Sequence, residues 1–180
     1  MKYLFSLFVL TVGLYSCGSG KQTNPVAANE KSVFMHALKD TFGIVRGVEL
    51  GEEYAVVEQM EYDSALVIRS RFNLVYNYAI DADNMVDVKY VFAETALRFI
   101  EMNISLESEG LADSVATDFQ NYFNSKFGNP DLQMGVYVWI APNAESNGES
   151  RIELVDESAE FGYGKLNIRV YAVPRADQAA

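Results

Sequence analysis

From Leu66 onward the apolar side chains recur at every second residue. Leu66, Ile68, Phe72, Leu74, Tyr76, Tyr78 and Ile80 share one parity with Ser70. Val67, Arg69, Arg71, Asn73, Val75 and Asn77 take the other. Successive strand side chains point to opposite faces, so this stretch has one apolar and one mostly polar face. A period of two excludes an amphipathic helix here. It commits the chain to a sheet buried on one side, which antiparallel sheets permit.

The same pattern continues. Asp81-Ala82-Asp83-Asn84 reads as a turn. Val86, Val88, Tyr90 and Phe92 then alternate against Asp87 and Lys89, and Ile100, Met102, Ile104 and Leu106 mark a further strand. Three more strands are expected over 134–140, 151–155 and 165–173, linked by Pro142–Glu149 and by Phe161-Gly162-Tyr163-Gly164 as a meander. Helical spacing appears in three places. Val33, Phe34, Ala37, Leu38 and Phe42 predict a helix over 30–42 stopped by Gly43. A shorter helix is expected over 52–60, with Glu52 and Glu53 in its first turn. The longest runs over 111–127, with Leu111, Val115, Phe119, Tyr122, Phe123 and Phe127 in one stripe. Gly128-Asn129-Pro130 ends it. The order predicts an α+β fold, an antiparallel sheet with helices packed on one face. Two helix-first halves, 33–106 and 111–173, suggest tandem helix-plus-sheet units within one domain spanning 30–175.

The N-terminus carries a different message. Lys2 is followed by an uncharged apolar run, Tyr3 to Leu14, and then by Leu14-Tyr15-Ser16-Cys17. The run has the length of a secretory signal and is shorter than the ~20 residues of a membrane span. Leu14–Cys17 resembles a bacterial lipobox. That resemblance implies a signal peptide over 1–16 and a diacylglycerol on the Cys17 sulfur, with a further acyl chain on the new amine. Cys17 is the only cysteine; on this reading it is the attachment point, and no intramolecular disulfide is available. Gly18, not aspartate, follows it, which by the same resemblance points to the outer membrane of a Gram-negative envelope and a periplasm-facing domain. Gly18–Asn29, with its Gly, Ser and Pro, reads as a tether, and 176–180 as a loose tail. Leu50-Gly51, Val56 and Met60, and then Phe127-Gly128-Asn129-Pro130, resemble segments of small envelope lipoproteins with tandem helix-plus-sheet units, such as outer-membrane assembly lipoproteins and β-lactamase inhibitor proteins. Glu52 stands where those proteins carry threonine or serine. The resemblance implies a shape and no functional residue.

Charge narrows the partners. The chain has 25 acidic and 14 basic side chains; loss of residues 1–16 removes Lys2 and leaves 25 against 13. Such a balance disfavours nucleic acid, which rewards clustered Lys and Arg, and disfavours electrostatic adhesion to an anionic bilayer. The membrane partner is then reached through the acyl chains on Cys17 alone.

Catalytic constellations are sparse. His36 is the only histidine, and it could shuttle a proton only if its helix lined a cleft. A zinc site needs more His and Cys ligands than the chain offers, so no metal and no cofactor is expected. Glu52 with Glu53, Glu107 with Glu109, and Asp156 with Glu157 are the candidate carboxylate pairs for acid–base chemistry. Each lies at an element end, where solvated acids are ordinary. Asp81, Asp83, Asn84 and Asp87 offer hard oxygens without the spacing of a calcium loop. The more distinctive expectation is a binding face. If Met134, Val136, Val138 and Ile140 face the helices, then Tyr137, Trp139, Arg151, Arg169 and Tyr171 share the opposite sheet face. Aromatic and arginine side chains dominate interaction hot spots. The expected function is therefore a non-enzymatic, lipid-anchored interaction module with an envelope protein as partner. The alternatives are a periplasmic carrier or sensor of a small apolar or glycan ligand, favoured by a cavity, and a hydrolase, favoured by converging acids.

Overall fold

The computed structural model describes residues 33–143 and 148–173. The lipobox with Cys17, the tether and the tail lie outside the described residues. The fold is α+β: one antiparallel sheet of eight strands with helices packed against it. Helix α1 (33–38) and α2 (Tyr54–Met60) precede β1 (Leu66–Arg69), β2 (Asn73–Ala79), β3 (Met85–Ala93) and β4 (Ala96–Leu106). Helix α3 (Glu109–Phe127) then leads into β5 (Asp131–Gln133), β6 (Val136–Asn143), β7 (Gly148–Asp156) and β8 (Gly164–Val173), with the short α4 (Ser158–Phe161) between the last two. The spatial order is β1-β2-β3-β4-β8-β7-β6-β5. Each half is a four-stranded meander, and the two meanders are joined where β4 pairs with β8.

One parity supplies the core. Val86, Val88 and Tyr90 of β3, Met102 and Ile104 of β4, and Leu166 and Val170 of β8 are wholly inaccessible. They form a continuous buried cluster with Leu111, Val115, Phe119 and Phe123 of α3 and with Val33, Leu38 and Val57 of the N-terminal helices. Helix α3 begins at Ser108, whose Oγ accepts the Leu111 N–H at 3.3 Å. It ends at Gly128 (φ +84°), whose N–H bonds the Asn124 carbonyl. Phe34 meets Phe119 edge-on at 5.0 Å, which ties α1 to α3.

Several expectations need correction. The alternation over 66–80 is two strands, not one. Ser70 turns the chain: its Oγ accepts from the N–H groups of Phe72 and Asn73 at 3.3 and 3.0 Å. Parity runs unbroken through the hairpin, so the pattern hid it. Helix α1 ends at residue 38, short of Phe42, because Lys39 takes a left-handed backbone (φ +61°). Strand β5 and helix α4 were not anticipated. In β6 the faces are reversed. Met134 (φ +50°) and Gly135 (φ +86°) form the β5–β6 turn, and Trp139 then stands opposite Ile152, with Tyr137 opposite Leu154. Trp139 and Tyr137 therefore face the helices, and Val138 and Ile140 face away.

Gly164 marks the tightest crossing. A Cβ there would lie 2.3 Å from the Ser108 carbonyl oxygen and 2.8 Å from Leu106 Cβ. The backbone at the start of α3 leaves no room to relax. Gly164→Ala is expected to destabilise by about 1–3 kcal/mol, read as a lower urea midpoint at unchanged slope.

Candidate functional site

The five residues expected to share a docking face do not share one. Trp139 is 1% exposed. Its Nε1–H donates to Asn124 Oδ1 of α3 at 2.9 Å, and its ring lies 5.1 Å from that of Phe123. Tyr137 packs beside it on the same face. Arg151, Arg169 and Tyr171 lie on the opposite, open face and are engaged there. Arg151 Nε donates to Glu153 Oε1 at 2.7 Å and its Nη2 to Gln133 Oε1 at 2.8 Å. Tyr171 O–H donates to the same Glu153 oxygen at 2.8 Å, and Arg169 stands 3.7 Å from Glu101. Cross-strand register sets Lys89, Glu101, Arg169 and Glu153 side by side across four strands. This alternation of sign makes the open face a self-paired polar surface.

Several of the candidate acids are spent on local contacts. The Asp81 carboxylate accepts from the N–H groups of Asp83 and Asn84 and from the Asn84 amide, so it organises its own turn. Asp87 pairs across strands with Asn77 at 2.7 Å. Asp156 accepts the Ser158 N–H at the start of α4. Glu52 is raised by burial near the first turn of α2. Among the described residues no group of three or more His, Asp or Glu side chains is placed to hold a metal.

The chemistry gathers elsewhere, around Glu61 at the end of α2. Its side chain is fully inaccessible and receives five hydrogen bonds. Arg46 Nε donates to Oε1 at 2.7 Å and Arg46 Nη2 to Oε2 at 2.9 Å. Lys39 Nζ and Tyr78 O–H reach Oε2 at 2.9 and 2.6 Å, and Tyr90 O–H reaches Oε1. Burial alone would raise this carboxyl. The hydrogen bond and charge of Arg46, with the two phenols, overcome that and hold it at about 2. Burial and the neighbouring carboxylate push both Tyr78 and Tyr90 upward, so the phenols stay protonated as donors. For Arg46, burial pulls downward, but Glu61 more than compensates and the guanidinium stays charged.

The loop between α1 and α2 delivers the two cations. Lys39 (φ +61°) and Arg46 (φ +57°) are both left-handed without being glycine, a conformation costing about 1–3 kcal/mol each that concentrates at functional positions. Arg46 N–H bonds the Leu38 carbonyl at 3.1 Å, which folds the loop back over α1. Its Nη1 group then caps that helix through the carbonyls of His36 and Ala37, at 3.2 and 2.8 Å.

A pocket of about 200 Å³ opens over this cluster, lined by Met35, His36, Lys39, Arg46, Tyr62, Tyr78, Ala79 and Ile80. The Arg46 guanidinium stacks on Tyr78 at 4.5 Å and Lys39 Nζ sits 4.7 Å from the Tyr62 ring centre. The only histidine thus does line a cleft. A second, wider cleft of about 660 Å³ lies at the two hairpin ends, between Tyr54, Arg69, Ser70, Arg71, Glu94 and Thr95. Its charged residues are all exposed, and Arg69 is engaged by Glu58 and Asp63. Sequence reasoning missed the Glu61 site because its members are spread from residue 36 to residue 90. The one available signal was Gly43, Gly47 and Gly51 at four-residue spacing, which marks a loop rich in left-handed backbone.

No known protein family, curated protein or solved structure matches this chain.

Proposed function

We propose that the chain is a lipid-anchored envelope protein, held at the outer membrane through Cys17 and facing the periplasm. On this reading it acts as a non-enzymatic interaction module. The observation that carries the reading is the pocket over Glu61. It holds two cations against one carboxylate, on a chain whose net charge is −11. A buried cation beyond what the protein itself neutralises is a recognition element for an anionic group on a partner. The space between helices and sheet is filled by Phe119, Phe123, Trp139, Tyr90 and Met102, which favours surface recognition over carriage of a ligand inside the core. The second reading, a carrier or sensor of a small ligand, draws on the same pocket, whose volume suits a compact group.

Tyr62 stands at the mouth and is 62% exposed. A photo-reactive residue at position 62, activated in native envelopes, is expected to give a discrete protein adduct that Lys39→Met abolishes. An adduct pattern indistinguishable from that of a probe on the open sheet face would sink the interaction reading. Labelling confined to a small molecule would favour the carrier.

A further inference from the structure

The hydrogen-bond inventory of the pocket is lopsided. A carboxylate offers about four lone-pair sites, and Glu61 already receives five donors. The cations are not used up in the same way. A guanidinium carries five N–H donors. Arg46 places Nε and one Nη2 hydrogen on Glu61 and its Nη1 group on His36 O and Ala37 O. One Nη2 hydrogen is left without a described acceptor. An ammonium carries three donors. Lys39 Nζ reaches Glu61 and the Met60 carbonyl, which leaves one. The acceptor is saturated while two charge-bearing donors remain.

Charge gives the same answer. Lys39 and Arg46 against Glu61 leave a single surplus positive charge. Arg46 is 2% exposed, so water screens its charge poorly. Asp40, the acid next in sequence to Lys39, accepts the Phe42 N–H at 2.9 Å. Asp63 beyond Tyr62 faces Arg69. No described salt bridge supplies a second carboxylate to the pair.

We propose that the pocket over Lys39 and Arg46 binds one carboxylate group, with its short hydrocarbon stem against Tyr62, Met35 and Ile80. The inference rests on the interaction reading above and names the chemistry of the group that is read. A monoanion matches the single surplus charge, whereas a phosphate dianion would leave the buried site negative. The apolar walls distinguish a carboxylic acid from chloride. In a protein partner the group is an Asp or Glu side chain or a chain terminus; in a small ligand it is a short carboxylic acid.

The protein carries one histidine, and it lines this pocket. The His36 imidazole proton resonance of the untagged chain is therefore a local reporter. Sodium acetate and propionate, titrated at constant ionic strength and pH, are expected to move it saturably, with propionate tighter. Phosphate and chloride are expected to move it only linearly. Lys39→Met removes the surplus charge and keeps Arg46 with Glu61; it is expected to weaken binding tenfold or more. Tyr62→Ala, at an exposed position, is expected to weaken propionate more than acetate with the fold intact. A capped peptide centred on glutamate, compared with its glutamine twin, tells a protein side chain from a small free acid as the source. Saturation by phosphate as tight as by propionate overturns the proposal, as does the absence of a saturable shift for any carboxylate. Carboxylate binding without any crosslinked protein at position 62 would support this inference while removing the interaction reading. A discrete protein adduct at position 62 that Lys39→Met abolishes, with no saturable shift for any carboxylate, would do the reverse.

Discussion

Glu61→Gln is expected to lower stability at neutral pH by about 3–5 kcal/mol, because it leaves Arg46 and Lys39 as buried or half-buried cations without a counter-charge. The shape of the site is nearly unchanged, so the loss is electrostatic. Acid titration isolates it. The Glu61 carboxyl is held at about 2 in the folded protein against 4.5 as its reference value. A carboxyl depressed on folding contributes stability that is fully present above its unfolded value and is lost as pH falls through the folded one. The window is therefore between pH 4.5 and pH 2, and the contribution across it is about 3 kcal/mol. Urea unfolding of the parent chain and Glu61→Gln at a series of pH values should give two curves that converge as pH falls. Parallel curves would show that the carboxylate is not ionised against Arg46 as described.

Trp139→Ala is the second large effect. Removing a fully buried indole leaves a cavity beneath α3 and an unpaired Asn124 amide oxygen, and such truncations cost about 3–5 kcal/mol. The chain has one tryptophan, so its own emission follows the site: Phe123→Ala should shift that emission to the red before the domain unfolds. A loss under about 1 kcal/mol for Trp139→Ala would place the indole on the surface and restore the docking face expected from strand parity.

The contrast between those two residues shows where sequence is legible. In β3 and β4 one parity is apolar and the other polar, so Val86, Val88, Met102 and Ile104 could be assigned to the core at once. The stripe of α3 and its Gly128 end were equally plain, although the helix starts at Glu109 behind the Ser108 cap and not at Leu111. Strand β6 is apolar on both parities: Val136, Val138 and Ile140 compete with Tyr137, Trp139 and Ala141. Which set turns inward depends on the turn at Met134-Gly135 and on the partner strand β7, not on composition. The Glu61 site fails for another reason. Lys39 and Arg46 share one loop, but Glu61, Tyr78 and Tyr90 each belong to a different segment, four in all. Only the left-handed backbone at Lys39 and Arg46 brings the cations over the sheet, and neither residue type signals that conformation.

The seam between the meanders has a kinetic meaning. Hairpin contacts such as Tyr78 with Val86 span a few residues, but β4 meets β8 with Met102 opposite Ile168, 66 positions further on. Loop-closure entropy opposes that pairing most strongly and must be met before its contacts form. The two halves can each gain local structure early, and the seam is the step that makes them one molecule. Until it closes, the first half presents β4 as a long open edge, eleven residues from Ala96 to Leu106. That edge is the place where an unfinished chain is most exposed to pairing with a neighbour.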